Sequence, residues 1–372
     1  MNIALITLHR IVNYGSVLQA YATQRIFEKE NHSVTVIDYY DKRMTLYGML
    51  CRLSQKREVL KNPVVNLVAK MVMFPSYVRR YNIFQNFIFS KLHLSKIYHS
   101  FEELSKEPPL ADCYCTGSDQ VWNSGWNEKI DKTFFFDFLP PGKPCFSYAA
   151  SFGKKQLDAN EKEETKRLLK KYFALSVRES NGVEILKDLG FNGEQVLDPT
   201  LLLMDADWRK IASVRFIRKR YIFVYNLNRS SEIDNAAGQL SKEYDLPIYT
   251  VSYCFHEIPI RKGKVFVCPK VEDWLSLIAN ATFVLTDSFH ATAFSINFRK
   301  QFFPFYPHLF CSRLSSILVL TGLTWRANPR NIVESSKKNI DYKQSLILLD
   351  EARAQSLMYI HKALEYAAEK AH

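Results

Sequence analysis

Apolar runs of strand length alternate with stretches whose apolar residues recur every three or four positions, and the alternation continues along most of the chain. This pattern predicts parallel sheets assembled from strand–helix–strand units. Strands are expected over residues 2–8, 34–38, 112–116, 146–150, 174–178 and 196–198, and a first helix over 16–30. In that helix Val17, Leu18, Tyr21, Ala22, Arg25 and Ile26 form one stripe, and the strand VTVID follows at a spacing that suits a right-handed crossover. The series then restarts: strands at 221–227, 247–251, 264–267 and 282–288 enclose helical patterns at 232–244 and 272–280. The fold class expected is therefore α/β, with two Rossmann-like halves. A final helical pattern covers 343–367 and has the length to pack back across the first half.

The boundary is expected between Pro199 and Arg220, where the basic run RFIRKR separates the two series. This gives a first domain of residues 1–208 and a second of 209–372. Residues 42–100 interrupt the first series. They interleave Arg43, Arg52, Lys56, Arg57, Lys61, Lys70, Arg79, Arg80, Lys91 and Lys96 with VVNLVAKMVMF and YNIFQNFIF, and carry one acidic residue, Glu58. Such an insertion reads two ways: a basic amphipathic element lying on anionic headgroups, or helices packed on the sheet with a solvated basic face. Pro63 and Pro75 are expected to divide it into short pieces, which favours the second reading.

Composition narrows the function classes. With 372 residues, 47% of them hydrophobic and only 12 Gly and 14 Pro, the chain is long enough for two ordinary cores and is neither disordered nor fibrous. Its 50 Lys and Arg against 38 Asp and Glu leave +12, which attracts nucleic acid, an anionic membrane surface or a phosphorylated small substrate. The Lys and Arg are dispersed and no nucleic-acid-binding signature is visible, so no nucleic acid is expected. Seven scattered cysteines without a Cys-x-x-Cys fit a reducing cytoplasm better than a disulfide or zinc framework. MNIALITLHR reads as a first strand rather than a signal peptide, and no apolar run is long enough to cross a bilayer.

Chemistry is expected where strands end, because ligands of open α/β sheets bind beyond the strands' carboxyl ends. In HRIVNYGSVLQAYA (9–22), Asn13, Tyr14, Gly15 and Ser16 stand where a strand gives way to a helix N-terminus; they either face a ligand or merely cap the helix. A single glycine matches neither the dinucleotide fingerprint nor the P-loop. In TGSDQVWN (116–123), Ser118 belongs to a small-residue turn, Asp119 is an acid–base candidate if its pKa is raised, and Trp122 either stacks on a sugar ring or fills the core. LSVRESNGVEIL (175–186) puts Arg178 at a strand end, where a guanidinium suits phosphate or carboxylate. In LTDSFHATAF (285–294), Asp287 and Ser288 can cap a helix whose first turn holds His290, the best placed of nine histidines. VLDPTLLL (196–203) reads mainly as structure, and Arg313 is a further cation for the cleft.

In this order these segments resemble the polysaccharide pyruvyl transferase family. ITLHRIVNYGSVLQAYA, TGSDQVWN, SVRESNGVEIL, VLDPTLLL and TDSFHATAFSINFRKQFFPF carry the likeness, which spans residues 1 to about 325. The resemblance implies two Rossmann-like domains facing a cleft, similar to GT-B glycosyltransferases, with the acceptor on the first domain and the donor on the second. It implies transfer of pyruvate from phosphoenolpyruvate to two hydroxyls of a sugar or glycan, free or lipid-linked, giving a cyclic ketal. Neither metal nor cofactor is implied beyond the donor. His290 and Arg178 match positions associated with the donor site: Arg178 as an anion clamp, His290 as phosphate contact or general acid, with Ser288 and Arg313 beside them. Asp119 is the general-base candidate, and Asn13, Tyr14, Gly15, Ser118 and Trp122 are expected to line the acceptor side or the cleft. Relatives often carry a basic residue two positions before the histidine, where this chain has Ser288; Arg313 or Arg299 is expected to supply that charge.

Two other functions remain open at this stage. One is a nucleotide-sugar-dependent glycosyltransferase of the same architecture, its diphosphate gripped by Arg178 and His290. The other is a non-catalytic binder of an anionic polymer or membrane surface that uses the +12 charge. The expected location is cytoplasmic, with peripheral contact at the cytoplasmic face of the membrane.

Overall fold

The computed structural model describes residues 1–55, 61–307 and 312–371. Lys56, Arg57 and Glu58 of the basic stretch, and Cys311, lie outside them. Thirteen strands occur among the described residues. The first eight are β1 (Asn2–Ile6), β2 (Ser33–Tyr39), β3 (Leu94–Tyr98), β4 (Cys113–Thr116), β5 (Cys145–Ser147), β6 (Tyr172–Ala174), β7 (Ser176–Val177) and β8 (Glu194–Gln195). The rest are β9 (Ile222–Tyr225), β10 (Ile248–Ser252), β11 (Lys264–Val267), β12 (Phe283–Thr286) and β13 (Gln301–Pro304).

Two parallel sheets result. The first runs β3-β2-β1-β4-β5-β6 and the second β11-β10-β9-β12-β13, while β7 and β8 pair by themselves. In each sheet the order doubles back beside its first strand, between β1 and β4 and between β9 and β12. These are the points where crossovers leave to opposite faces and a crevice opens beyond the strand ends. Their strands, such as Ile222–Tyr225 and Phe283–Thr286, are buried throughout, as expected of sheets covered on both faces.

Most predicted elements are present, with informative departures. The run 174–178 is split into β6 and β7, and the strand expected at 196–198 begins two residues earlier, at β8. Strand β3 lies inside the basic insertion, whose polar composition concealed it. The largest departure is helix Pro63–Lys91, which continues through Pro75 for 29 residues. Pro63 occupies the first turn, where a missing N–H costs nothing, and Asn62 caps the end by accepting from Val64 and Val65. Pro75 is exposed, so the carbonyl it leaves without a helical donor faces water.

Contacts between the two halves are aromatic and extensive. Tyr14 is fully buried, stacks on Trp274 at 4.9 Å and donates its hydroxyl to the carbonyl of Pro269 at 2.6 Å. The C-terminal helix, Tyr342–Ala371, returns to the first sheet: Tyr359 donates to the Ser147 carbonyl at 2.8 Å and Ser356 accepts from the Leu197 amide at 2.9 Å.

Candidate active site

A cavity of about 250 Å³ lies where the two crevices face each other. Its walls are the segments that follow the central strands: Leu8, Ile11 and Asn13 after β1, Asp119 and Gln120 after β4, Leu227 and Asn228 after β9, and Asp287 to His290 after β12. Ser16, Trp126, Pro307, Arg313 and Leu314 complete it.

Each segment is held in place by its own polar residues. Asn13 caps helix Tyr14–Lys29 by accepting from the Gly15 amide at 2.9 Å. Ser288 caps helix Phe289–Asn297 through the Ala291 amide, which puts His290 in the first turn. Asp287 does not cap. Its carboxylate accepts from the amides of Leu227 and Asn228, each at 2.8 Å, and from the Asn228 side chain, fixing the loop after β9 on the loop after β12. Asp119 adopts φ +78°, a turn conformation uncommon outside glycine and asparagine.

Arg178 lies at the centre, buried. Its Nη1 donates to Asp198 at 2.7 Å and to Ser118 at 3.3 Å, and its Nη2 donates to Asp119 at 3.0 Å. Nε is 3.7 Å from Glu179 and has no hydrogen bond. His290 meets the same cluster, its Nε2 lying 3.8 Å from Asp198 and lacking a hydrogen-bond partner. Phe289 separates the two, with its ring 5.4 Å from the guanidinium carbon and 5.0 Å from the imidazole. A second cavity of about 480 Å³, lined by Arg178 and Asp198, shares Phe289 and Arg313 with the first.

The electrostatics correct two expectations. Asp119 is not a carboxyl of raised pKa. Burial opposes its ionisation, but Arg178 above all, then His290, Ser16 and Arg313, hold it down to about 2. One of its oxygens accepts from Ser16 at 2.6 Å and the other from Arg178, so it is a fixed carboxylate and a poor base. Nor is the pocket simply cationic. Arg178 and Arg313 face Asp119, Asp198 and Glu179, and His290 is neutral at pH 7 because burial lowers its pKa to about 4, with Asp198 opposing and Arg178 reinforcing the shift. Arg178 itself is not a free anion clamp, since carboxylates occupy both terminal nitrogens. Of the two arginines that line the cavities, Arg313 is the one without an ion pair or hydrogen bond among the described residues, and its charged form is disfavoured first by burial and then by Arg178.

Other predicted residues take different places. Gly15 lies directly against the His290 ring. Ser118 is fully buried and donates to Asp198 at 3.0 Å, bracing the charge cluster rather than lining the cleft. Tyr14 joins the core between the halves, because its hydroxyl finds a buried carbonyl partner there. Trp122 also belongs to the core, stacked on Phe135 at 5.4 Å; the indole at the cavity is that of half-exposed Trp126. Arg299 is exposed beyond the far end of the His290 helix and is remote from the cluster. Asp198, read as structural, both caps helix Pro199–Leu202 through Thr200 and joins Arg178 to His290. One metal-like trio occurs among the described residues, Cys254, His256 and Glu257 with ligand atoms within 4.8 Å of one another. Glu257 is already engaged by Arg229, Arg261 and Ser252, so the local charge disfavours a cation.

The polysaccharide pyruvyl transferase model matches residues 13–308, most of the chain. The chain belongs to the polysaccharide pyruvyl transferase family. No curated protein matches its sequence. In three dimensions it is similar to UDP-GlcNAc 2-epimerase from Neisseria meningitidis bound to UDP-GlcNAc, at 11% identity and a TM-score of 0.54, over 97% of this chain and 100% of that one. Weaker likenesses are to UDP-N-acetylglucosamine 2-epimerase from Rickettsia bellii (13% identity, TM-score 0.49, 99% and 97% covered) and to a UDP-glucosyltransferase from Polygonum tinctorium (9%, 0.47, 100% and 98%). The fold is GT-B-like, as the resemblance implied, and family membership makes the protein a transferase of polysaccharide biosynthesis.

Proposed function

We propose that this pyruvyl transferase family member moves a pyruvyl group from phosphoenolpyruvate to two hydroxyls of a sugar or glycan, forming a cyclic ketal and releasing phosphate. The observation that carries the reading is the meeting of Arg178 and His290 on Asp198, with His290, Asp119 and Arg313 on the wall of a cavity between the two sheets. Its volume, about 250 Å³, lies below the roughly 300–1,000 Å³ typical of sites for drug-sized ligands. That space favours a three-carbon donor over a nucleotide sugar.

In this reading the donor's anionic groups lie against Arg313, the amides at the start of helix Phe289–Asn297, and His290. The free protein holds His290 neutral; a bound phosphate dianion beside it raises its pKa and brings a proton into the site. Protonation of the methylene carbon of the enol gives an oxocarbenium-like centre at the carbon bearing phosphate. One acceptor hydroxyl forms a C–O bond there, the C–O bond to phosphate breaks, and a second hydroxyl closes the ring. Of the two hydroxyl protons released, one balances that added to carbon and the other leaves with phosphate. Arg178 keeps Asp119 and Asp198 fixed around this chemistry, and Asp119 orients the acceptor through its carboxylate instead of acting as a strong base. No resident cofactor or metal enters these steps.

The test is incubation with phosphoenolpyruvate and a panel of glycan acceptors, with inorganic phosphate and a one-ketal mass gain as readouts. Release of a nucleoside diphosphate from a nucleotide sugar would overturn the reading in favour of glycosyl transfer. Salt-sensitive binding of an anionic polymer that Arg178→Ala leaves intact, with no turnover of either donor, would favour a non-catalytic binder.

A further inference from the structure

The long helix of the basic insertion is two different objects along its length. From Ser76 onward it is built into the molecule: Phe84, Phe87 and Ile88 are buried, Arg79 donates to the Val267 carbonyl at 2.7 Å, and Gln85 bonds to Arg10. Before Ser76 it is bare. Val64, Leu67, Val68, Met71, Val72 and Phe74 are 49–70% exposed. At 100° per residue they occupy roughly 160° of arc along about 15 Å of helix. Asn66, Ala69, Lys70 and Met73, on the opposite face, are half-buried, and the helix is in contact with helix Leu46–Cys51. The apolar surface continues onto the turn Phe255–Ile260, which hangs on the same helix through the Phe255 amide and Ser76; Phe255, Ile258 and Ile260 there are 41–69% exposed.

A soluble protein rarely leaves so much aliphatic surface contiguous and open without a use for it. We propose that this face docks the protein on the surface of an anionic lipid bilayer. Charge selects that occupant. Residues 42–100 hold eleven Lys and Arg and one acidic residue, Glu58. Lys42 and Lys61 are exposed, Lys61 two residues before the helix begins, and Lys70 is half-buried on the helix itself, next to the apolar arc. A second copy seated face to face would bring these ammonium groups together, an unfavourable arrangement, whereas anionic headgroups complement them. Among the described residues no helix is long and apolar enough to cross a membrane, and a half-cylinder of aliphatic side chains flanked by lysines suits the interface plane instead. Within the same helix, Arg80 donates to the carbonyl of Val12 at 3.4 Å, next to Asn13 of the cavity wall. The docking element is thereby joined to the cleft, an arrangement that serves an acceptor carried on a lipid. The inference stands independently of the donor's identity.

The experiment is flotation of the full-length protein with vesicles of phosphatidylglycerol and phosphatidylcholine, and with phosphatidylcholine alone. Binding is expected to the anionic vesicles and not to the neutral ones. Leu67→Glu/Met71→Glu and, separately, Lys42→Glu are expected to weaken it, the double variant by ~tenfold or more, with circular dichroism and melting temperature unchanged because these side chains are exposed. Absence of binding to anionic vesicles overturns the proposal, as does equal binding by wild type and Leu67→Glu/Met71→Glu. A concentration-dependent dimer that the same double variant dissociates, without vesicle binding, assigns the face to a second copy and also overturns it. Phosphate release from phosphoenolpyruvate in the presence of a water-soluble acceptor reads the transferase function separately.

Discussion

Gly15 and His290 share a space that only a glycine leaves open: a methyl group on residue 15 would fall 1.9 Å from Nδ1 of the imidazole and 2.3 Å from its Cγ. The first helix of one half thus rests its N-terminal turn on the candidate catalytic ring of the other. Gly15→Ala must push the ring or the helix away. Overpacking of this kind costs about 1–3 kcal/mol, and displacing a reacting group by an ångström costs ~hundredfold in rate. A modest fall in melting temperature with a large fall in phosphoenolpyruvate-dependent phosphate release is expected. Unchanged turnover by Gly15→Ala would remove His290 from the chemistry.

Arg178 is expected to report on folding before it reports on catalysis. Its guanidinium bridges Asp119 and Asp198, and all three are buried. Removing one partner of such a set leaves uncompensated charge and costs about 3–5 kcal/mol. Arg178→Ala should therefore melt well below wild type, and Arg178→Lys should recover only part of the loss because one ammonium cannot reproduce the fork. Urea titration of both variants checks this; a wild-type midpoint for Arg178→Ala would contradict the bridging role. The cluster also sets an acid limit. Asp119 is held down to about 2, so its contribution is complete above the unfolded carboxylate value of about 3.9 and is lost as pH falls through that interval towards 2.

The fold was legible because both series of buried strands are short apolar runs bounded by turns, and five segments place candidate residues at strand ends. The candidate site was legible in so far as His290 and Arg178 meet on Asp198, their positions after β12 and β7 following from that pattern. It was less legible wherever one residue type serves two environments. Tyr14 and Trp122 look the same in sequence whether they meet a sugar or a core, and a buried carbonyl or a stacked ring decides it. Asp198 was hidden by Pro199, which explains the aspartate as a cap and leaves its second contact, to Arg178, invisible until Ser118 and Asp119 arrive from eighty residues upstream. Helix Pro63–Lys91 was misread because a proline on a solvent-facing side does not break what packing beyond it maintains.

Arg313 should behave in the opposite way to Arg178. It lines both cavities and makes no ion pair or hydrogen bond among the described residues. Arg313→Ala is expected to leave the melting temperature of the free protein unchanged or slightly higher, since a poorly compensated cation is removed. It should also weaken phosphoenolpyruvate binding by roughly tenfold to a hundredfold, the loss of one charge-assisted hydrogen bond of about 1.5–3 kcal/mol. Thermal shift with and without phosphoenolpyruvate separates the two effects. An unaltered ligand-induced shift would exclude Arg313 from the donor site.

His290 ties donor binding to the proton. In the free protein burial lowers its pKa to about 4, so between that value and the unfolded histidine value of about 6.5 the unfolded chain binds a proton that the folded chain refuses. Stability therefore falls as pH drops through this window, and His290→Gln, which cannot titrate, should lose that part of the slope. A bound phosphate dianion acts in the other direction, favouring the imidazolium, so the complex takes up a proton and affinity rises as pH falls below the bound-state value towards 4. Calorimetry of phosphoenolpyruvate binding in buffers of different ionisation enthalpy measures the uptake directly. His290→Gln is the control that subtracts titration of the ligand's own phosphate. Equal proton uptake by wild type and His290→Gln would show that the donor binds away from this ring, and would sink the assignment of His290 as the residue that carries the proton into the site.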